Sequence, residues 1–227
     1  DGDDNDFETT PYSLIYPSDV FPTMLIPEDN LLTQEGVSLG KKLFFDPILS
    51  SNNTISCASC HIQANSFSDP NQYSIGVNGD FGFRNAFSLV NIGWNSSFNW
   101  DGAASSLENQ VFEPVTNPIE MANNWEQVEN DLNASSEYRN LFKQAFNIDC
   151  IDSTHVAKAI AQFERTLISY NSRYDKWTRG EVMFTNEELD GLNIFTTERG
   201  DCFHCHGNIN FMDNSFHNNA LDENFTD

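Results

Sequence analysis

Cys57-Ala58-Ser59-Cys60-His61 decides how this chain is read, and Cys202-Phe203-His204-Cys205-His206 repeats its pattern 145 residues later. Both stretches read C-x-x-C-H, the attachment motif of c-type haem. The spacing suits the chemistry. Two thiols a short turn apart can each add to a vinyl group on one edge of the porphyrin, and the next residue brings an imidazole under the iron as axial ligand. Four of the five cysteines are used this way, which leaves Cys150. Two other chemistries also use C-x-x-C. The two pairs could close one four-cysteine zinc site, although the motifs would have to meet across about 140 residues and each following histidine would have no role. A redox disulfide inside each pair is the other. Haem gives a role to Cys57, Cys60, His61, Cys202, Cys205 and His206 alike. The expectation carried forward is two covalent c-type haems, with His61 and His206 on the irons.

Composition bounds the rest. A chain of 227 residues makes one large or two small domains, and 19 Phe allow a sizeable core. Lys and Arg total 11 against 34 Asp and Glu, a net charge of -23. That argues against nucleic acid, whose phosphates need basic groups. It suits a basic or weakly charged protein partner steered by complementary potential, and equally the plain solubility of an exported protein. No apolar run approaches a membrane span and no signal peptide is present, so the chain reads as mature. Covalent haem implies assembly outside the cytoplasm, and the expected compartment is a periplasm.

Along the chain, Asp1, Asp3, Asp4, Asp6 and Glu8 precede Pro11 and Pro17. Residues 1–22 read as an acidic, extended lead-in, mobile or draped over the surface. Thr33 can cap a helix to about Phe45, which Asp46-Pro47 stops. Residues 50–56 form a polar loop into the first motif. Gln63 to Trp100 shows little helical period, and a loop that long is usually functional. Ser105 or Ser106 caps a short helix through Val111, and Pro114 and Pro118 bracket an irregular piece carrying Glu120-Met121. Short helices follow over Asn124–Leu132 and Ser136–Phe146, then a strong one capped by Ser153 with Val156, Ala159, Ile160 and Phe163 aligned. Residues 170–180 read as a linker. Asn186 caps a last helix with Leu189, Leu192 and Phe195 inward, and Gly200 turns the chain into the second motif.

Together these stretches resemble the bacterial di-haem cytochrome c peroxidase family, which also includes haem enzymes that mature tryptophan-derived quinone cofactors. The matching residues are Leu39 to Pro47 with Leu49-Ser50, Ile55 to His61, Ser74-Ile75-Gly76, Arg84-Asn85, Trp100-Asp101-Gly102, Gln110, Pro114, Glu120-Met121 and the second motif. The match runs from about residue 20 to the end. The resemblance implies a mostly α fold of two cytochrome c-like haem domains with long loops. The peroxidatic haem domain is placed at 23–170 and the start of an electron-transfer haem domain, incomplete here, at 171–227. It implies a peroxidatic haem on His61 and an electron-entry haem on His206. It casts Glu120 as the distal acid, Trp100 as a relay between the haems, and Gln110 and Pro114 as lining of the distal pocket. Arg84 would meet a haem propionate, and Asn85 would be one ligand of a calcium ion. Without the family, Trp100 reads as a core aromatic, and a lone Glu or Asn as a solvated surface residue. The implied reaction is reduction of hydrogen peroxide to water with electrons from a small cytochrome or copper protein; a homodimer is left open.

Two departures from the family stand out. Many members place an iron-blocking histidine just after Ser-Ile-Gly, where this chain has Val77 and then Asn78; valine cannot ligate iron, so the first haem is expected to be open. Asn99 also stands where the family often has Phe. The chain ends 21 residues after His206, short of the family's sixth ligand to the second haem. Neither Met212 nor His217 matches that ligand, and the chain reads as a fragment. His155 reads as structural, His204 as solvent-facing, and Cys150 as a buried thiol or one half of an intermolecular disulfide. Two other functions stay open: a di-haem electron-transfer cytochrome, and a related di-haem oxidase acting on a protein or small organic substrate.

Overall fold

Thr33 begins the first helix by accepting a hydrogen bond from Gly36 N at 3.0 Å, which satisfies a backbone donor the helix cannot. This helix, α1 (Gln34–Phe45), is the backbone of the fold's first half. The computed structural model describes residues 7–18 and 20–218; Asp1, Asp3, Asp4 and Asp6 lie outside them. Further helices are α2 (Cys57–Cys60), α3 (Leu107–Gln110), α4 (Phe112–Thr116), α5 (Trp125–Ala134), α6 (Ser136–Phe146), α7 (Ser153–Glu164), α8 (Arg173–Thr178), α9 (Asn186–Phe195) and α10 (Phe203–His206). The described residues contain isolated β-bridges but no strand, so the architecture is mostly α with long connections. None of their helices is long and apolar enough to cross a membrane.

The chain forms two compact units: one from the described residues of Asp1–Ile15 and Met24–Leu167, the other from those of Tyr16–Thr23 and Ile168–Asp227. In the first unit, Leu39, Leu43 and Phe44 of α1 are almost wholly buried with Val128 and Leu132 of α5, Phe142 of α6, and Val156, Ala159 and Ile160 of α7. The period of 3.6 puts each set on one face, and the hydrophobic effect drives the faces together. α1 and α7 approach so closely that a Cβ on Gly40 would lie 2.5 Å from the Ala159 carbonyl carbon.

A buried polar network fastens the same helices. Gln162 of α7 accepts from Thr33 N at 3.0 Å and donates to Asn30 Oδ1 at 2.9 Å. Asn30 donates to Glu108 Oε1 at 2.6 Å, and Arg165 grips both oxygens of Glu108 at 2.7 and 3.1 Å. Burial works to raise the Glu108 carboxyl, but the hydrogen bonds and charge of Arg165 prevail and hold it below the usual carboxylate range. Asp46, which closes α1, accepts from Ile48 N through one oxygen and from the Tyr138 hydroxyl at 2.6 Å through the other. Tyr138→Phe is expected to lower stability by about 2 kcal/mol, since it takes a charge-assisted bond from a sheltered carboxylate; urea unfolding measures it.

The residues before α1 are draped rather than free: Tyr12 N donates to Leu32 O at 2.9 Å and Gln34 N to Thr10 O at 2.8 Å. In the second unit Trp177 stacks on Phe184 with centroids 4.7 Å apart, and Phe211 meets both Tyr174 and Phe195 edge-on.

Several sequence expectations need correction. Residues 170–180 are not a plain linker, because Ser172 and Asp175 cap each other reciprocally and start α8. Pro114 sits inside α4, in the first turn, where a missing N–H costs nothing. The capping residues of α7 and α9 are Asp152 and Thr185, one position earlier than the expected Ser153 and Asn186. Leu189 is 41% exposed rather than inward, and Cys150 is exposed rather than buried.

Candidate functional site

The first motif is delivered by a loop that its own side chains fold. Ser50 Oγ accepts from Thr54 N and Ile55 N, and Ser59 Oγ accepts from Ser56 N at 3.0 Å, which shapes the single turn α2. Cys57 and Cys60 end up one turn apart as free thiols. Burial, with the Glu164 carboxyl adding to it, pushes the Cys57 thiol up to about 12. Burial also raises Cys60, against a hydrogen bond from Ser74. Both sulfurs are therefore neutral thiols.

His61 follows as the cap of α2. Its Nδ1 lies 3.0 Å from the Phe67 carbonyl oxygen, brought back by left-handed backbone at Ser66 and Phe67. A carbonyl only accepts, so Nδ1 carries the proton and Nε2 keeps its lone pair. Burial holds the imidazole pKa below its ordinary value, which favours the neutral, ligating form. Phe44 and Phe87 stand 6.4 and 5.7 Å from the ring. In the second unit the same device recurs: His206 Nδ1 is 2.7 Å from Phe211 O. At each motif two free thiols and an imidazole oriented by a carbonyl form a donor set that fits covalent haem. His204 is exposed beside Asp201 and Glu198, and His217 pairs with Asp213 at 2.8 Å. His155, in the first turn of α7, pairs with the capping Asp152 and packs on Phe146.

Glu120 sits in the tight segment after α4. Asn117 Nδ2 donates to its Oε1 at 2.9 Å, and Val77 N donates to its backbone oxygen at 2.8 Å. Burial first, and the neighbouring Glu113 second, raise its pKa to about 7 against the Asn117 bond. Asn99, at a positive φ of 65°, donates to Glu113 Oε2 at 3.3 Å. Gln110 ends α3, is buried, and lies four residues before Pro114. The group is a carboxyl that changes charge near neutrality, among polar neighbours.

Trp100 belongs to a different cluster. It is 59% exposed rather than a core aromatic, and its indole N–H donates to the Asn85 carbonyl at 2.8 Å. Asn85 Nδ2 donates to the Asp69 and Asn71 carbonyls, leaving Oδ1 a long 3.5 Å contact with Ser68 Oγ. Arg84 pairs with Asp101 at 2.9 Å. Among the described residues, no hydrogen bond links Glu120 to Trp100, Gln110 or His61. Sequence reasoning overlooked two neighbours. Asn117 was findable from its i, i+3 spacing to Glu120. Glu164 was findable as the acid on an otherwise apolar face of α7. It is buried with Oε2 unpartnered, and burial raises it to about 8.

Comparison with known proteins points to one family. The family model described as "Di-haem cytochrome c peroxidase" matches residues 34–183. Methylamine utilization protein MauG of Methylorubrum extorquens is 38% identical over 86% of this chain and 56% of its own length. Cytochrome c551 peroxidase of Nitrosomonas europaea is 40% identical over 74% of this chain and 50% of its own. Cytochrome c peroxidase Ccp of Escherichia coli is 35% identical over 90% and 44%. Among solved structures, a MauG-like protein associated with microbial copper homeostasis superposes with a TM-score of 0.84, at 34% identity over 89% of this chain and 60% of that one. The chain thus spans about half the length of the curated relatives it matches.

Proposed function

Because the chain belongs to the di-haem cytochrome c peroxidase family, we propose that it reduces hydrogen peroxide to water with electrons from a small redox protein. The observation that carries this reading is Glu120, a sheltered carboxyl with a pKa of about 7. Cys57, Cys60 and His61 would hold one haem, and Cys202, Cys205 and His206 the other. Bound haem supplies an iron that takes up peroxide and stores the electrons needed to reduce it. Glu120 as carboxylate takes a proton from peroxide and, as the acid so formed, returns it to the departing oxygen, which leaves as water. Two electrons from the donor and two protons from solvent complete the second water. Gln110, buried near the same segment, would line the pocket, and Val77 would leave the iron accessible where many relatives carry histidine.

Trp100 is the proposed electron relay; its indole is oriented by Asn85 O. Arg84 is proposed to reach a haem propionate. Asn85 Oδ1 would be its offered atom in a calcium site. The net charge of -23 favours a basic cytochrome or copper protein as donor, and covalent haem favours a periplasmic setting. A second reading, a di-haem oxidase acting on a protein or small organic substrate, draws on the 38% identity to MauG. Turnover with a reduced cytochrome as the only reductant separates the two.

Absorption spectra of the haem-loaded protein, oxidised and dithionite-reduced and each then mixed with peroxide, test the reading. Expected are a Soret band, reduced c-type bands and fast reaction of the fully oxidised form. A six-coordinate bis-histidine first haem, or reaction only after partial reduction, would overturn the open site; absence of a Soret band would overturn the haem assignment.

A further inference from the structure

We propose that Gly76 is a positioning residue for Glu120, and that the hairpin of residues 74–82 sets where the carboxyl stands. This rests on the reading of Glu120 as the distal acid. The hairpin is short and self-bonded. Gly82 N donates to Ser74 O at 2.9 Å, Gly76 N to Asp80 O at 2.9 Å, and Ile75 bridges Phe81. Gly79 at its tip takes a φ of 87°, which makes the turn tight. One foot is tied to the haem loop, where Ser74 Oγ donates to Asp69 Oδ2 at 2.7 Å. The opposite side lies directly on the peptide that carries Glu120.

That contact tolerates no side chain. A Cβ on Gly76 would fall 2.7 Å from the Ile119 carbonyl carbon and 3.0 Å from Glu120 O, and closer still to the Ile119 oxygen. All three obstacles are backbone, so no rotamer change relieves them. The next residue fixes the same peptide from the other direction, with Val77 N donating to Glu120 O at 2.8 Å. The Val77 amide and the bare Gly76 Cα thus clamp both carbonyls of Ile119-Glu120. The carboxyl's height and tilt follow from that clamp, and Asn117 then holds Oε1. A methyl at Gly76 would force the Glu120 peptide away by on the order of 1 Å, and displacements of that size cost about 10²-fold in general acid–base steps.

Cyanide binding to the oxidised haem reads the base without turnover, because hydrogen cyanide must lose a proton before the anion ligates. We would measure cyanide association and its pH profile in the haem-loaded wild type, Gly76→Ala, Gly82→Ala and Glu120→Gln. At Gly82 the added Cβ has its nearest neighbour at 3.7 Å, ordinary contact, so that variant controls for the substitution itself. The expected result is association slowed about 10²-fold in Gly76→Ala, with a displaced pH midpoint, unchanged haem bands, and Gly82→Ala matching wild type. Slow Glu120→Gln beside a wild-type-like Gly76→Ala would overturn the positioning role alone. A wild-type rate in Glu120→Gln would overturn the distal-acid reading and this inference with it. Should Gly76→Ala fail to load haem, hydrogen exchange in the wild type decides. Strong protection of the Val77 amide supports the clamp, and exchange at the rate of an open loop overturns it.

Discussion

Glu120→Gln should slow the reaction of hydrogen peroxide with the oxidised, haem-loaded protein by about 10²–10⁴-fold, the usual worth of a positioned general acid–base. Glutamine keeps the shape and can still accept the Asn117 amide bond, but it can neither take nor return a proton. The haem bands should therefore stay as in the wild type while stopped-flow rates collapse. The pH dependence carries the sign. Burial raises the carboxyl to about 7, so the carboxylate, which acts as the base, is scarce below that pH and prevails above it. The wild-type rate should climb as pH rises through about 7, and the climb should vanish in Glu120→Gln. An unchanged rate, or a variant that retains the pH limb, would reassign proton transfer to another group.

Gly40→Ala should strongly destabilise the helix packing of the first unit. The added Cβ would sit 2.5 Å from the Ala159 carbonyl carbon and 3.0 Å from Phe163 Cβ. Helix backbone cannot step aside, so α1 has to lift from α7. The cost is expected to be about 3 kcal/mol or more, the upper range of overpacking, a large part of a typical stability of about 5–15 kcal/mol. In a chain of this size that lowers Tm by about 6–12 °C. Gly191 provides the contrast. It lies within α9, and a methyl added there would meet nothing within 4 Å. Gly191→Ala should therefore stabilise by up to about 1 kcal/mol through helix propensity. Calorimetry of the two variants gives opposite signs if the α1–α7 contact is as close as described. Equal small effects would mean that α1 has room to move. The displacement would also reach the first C-x-x-C-H motif, because Phe44 of α1 packs beside His61.

Much of this is legible in the sequence alone. Thr33, Ser106, Asn124 and the aligned apolar residues of α6 and α7 announce their helices through local chemistry, a cap or a period of 3.6. The thiol–thiol–imidazole sets are legible because five consecutive residues contain them. What stays hidden depends on partners distant in sequence or on competing caps. Ser172 and Asp175 make α8 from a stretch that is apolar nowhere in particular. Asp152 displaces Ser153 because a carboxylate at the preceding position reaches His155 N first, at 2.9 Å. The clamp on Glu120 joins residues 76 and 119, and no local pattern links them. Gln162, Asn30 and Glu108 likewise form one network from three segments, each of which alone reads as an ordinary polar exterior.

The carbonyl partners of His61 and His206 have a consequence for how this protein can change over evolutionary time. Each imidazole gives its Nδ1 proton to main chain, at Phe67 and at Phe211, where many metal-ligating histidines rely on a carboxylate side chain. No codon change at either phenylalanine deletes an oxygen of the peptide bond. The orientation of both imidazoles thereby depends on main chain rather than on a side chain, and sequence drift around the motifs can alter the walls of the site without turning the rings.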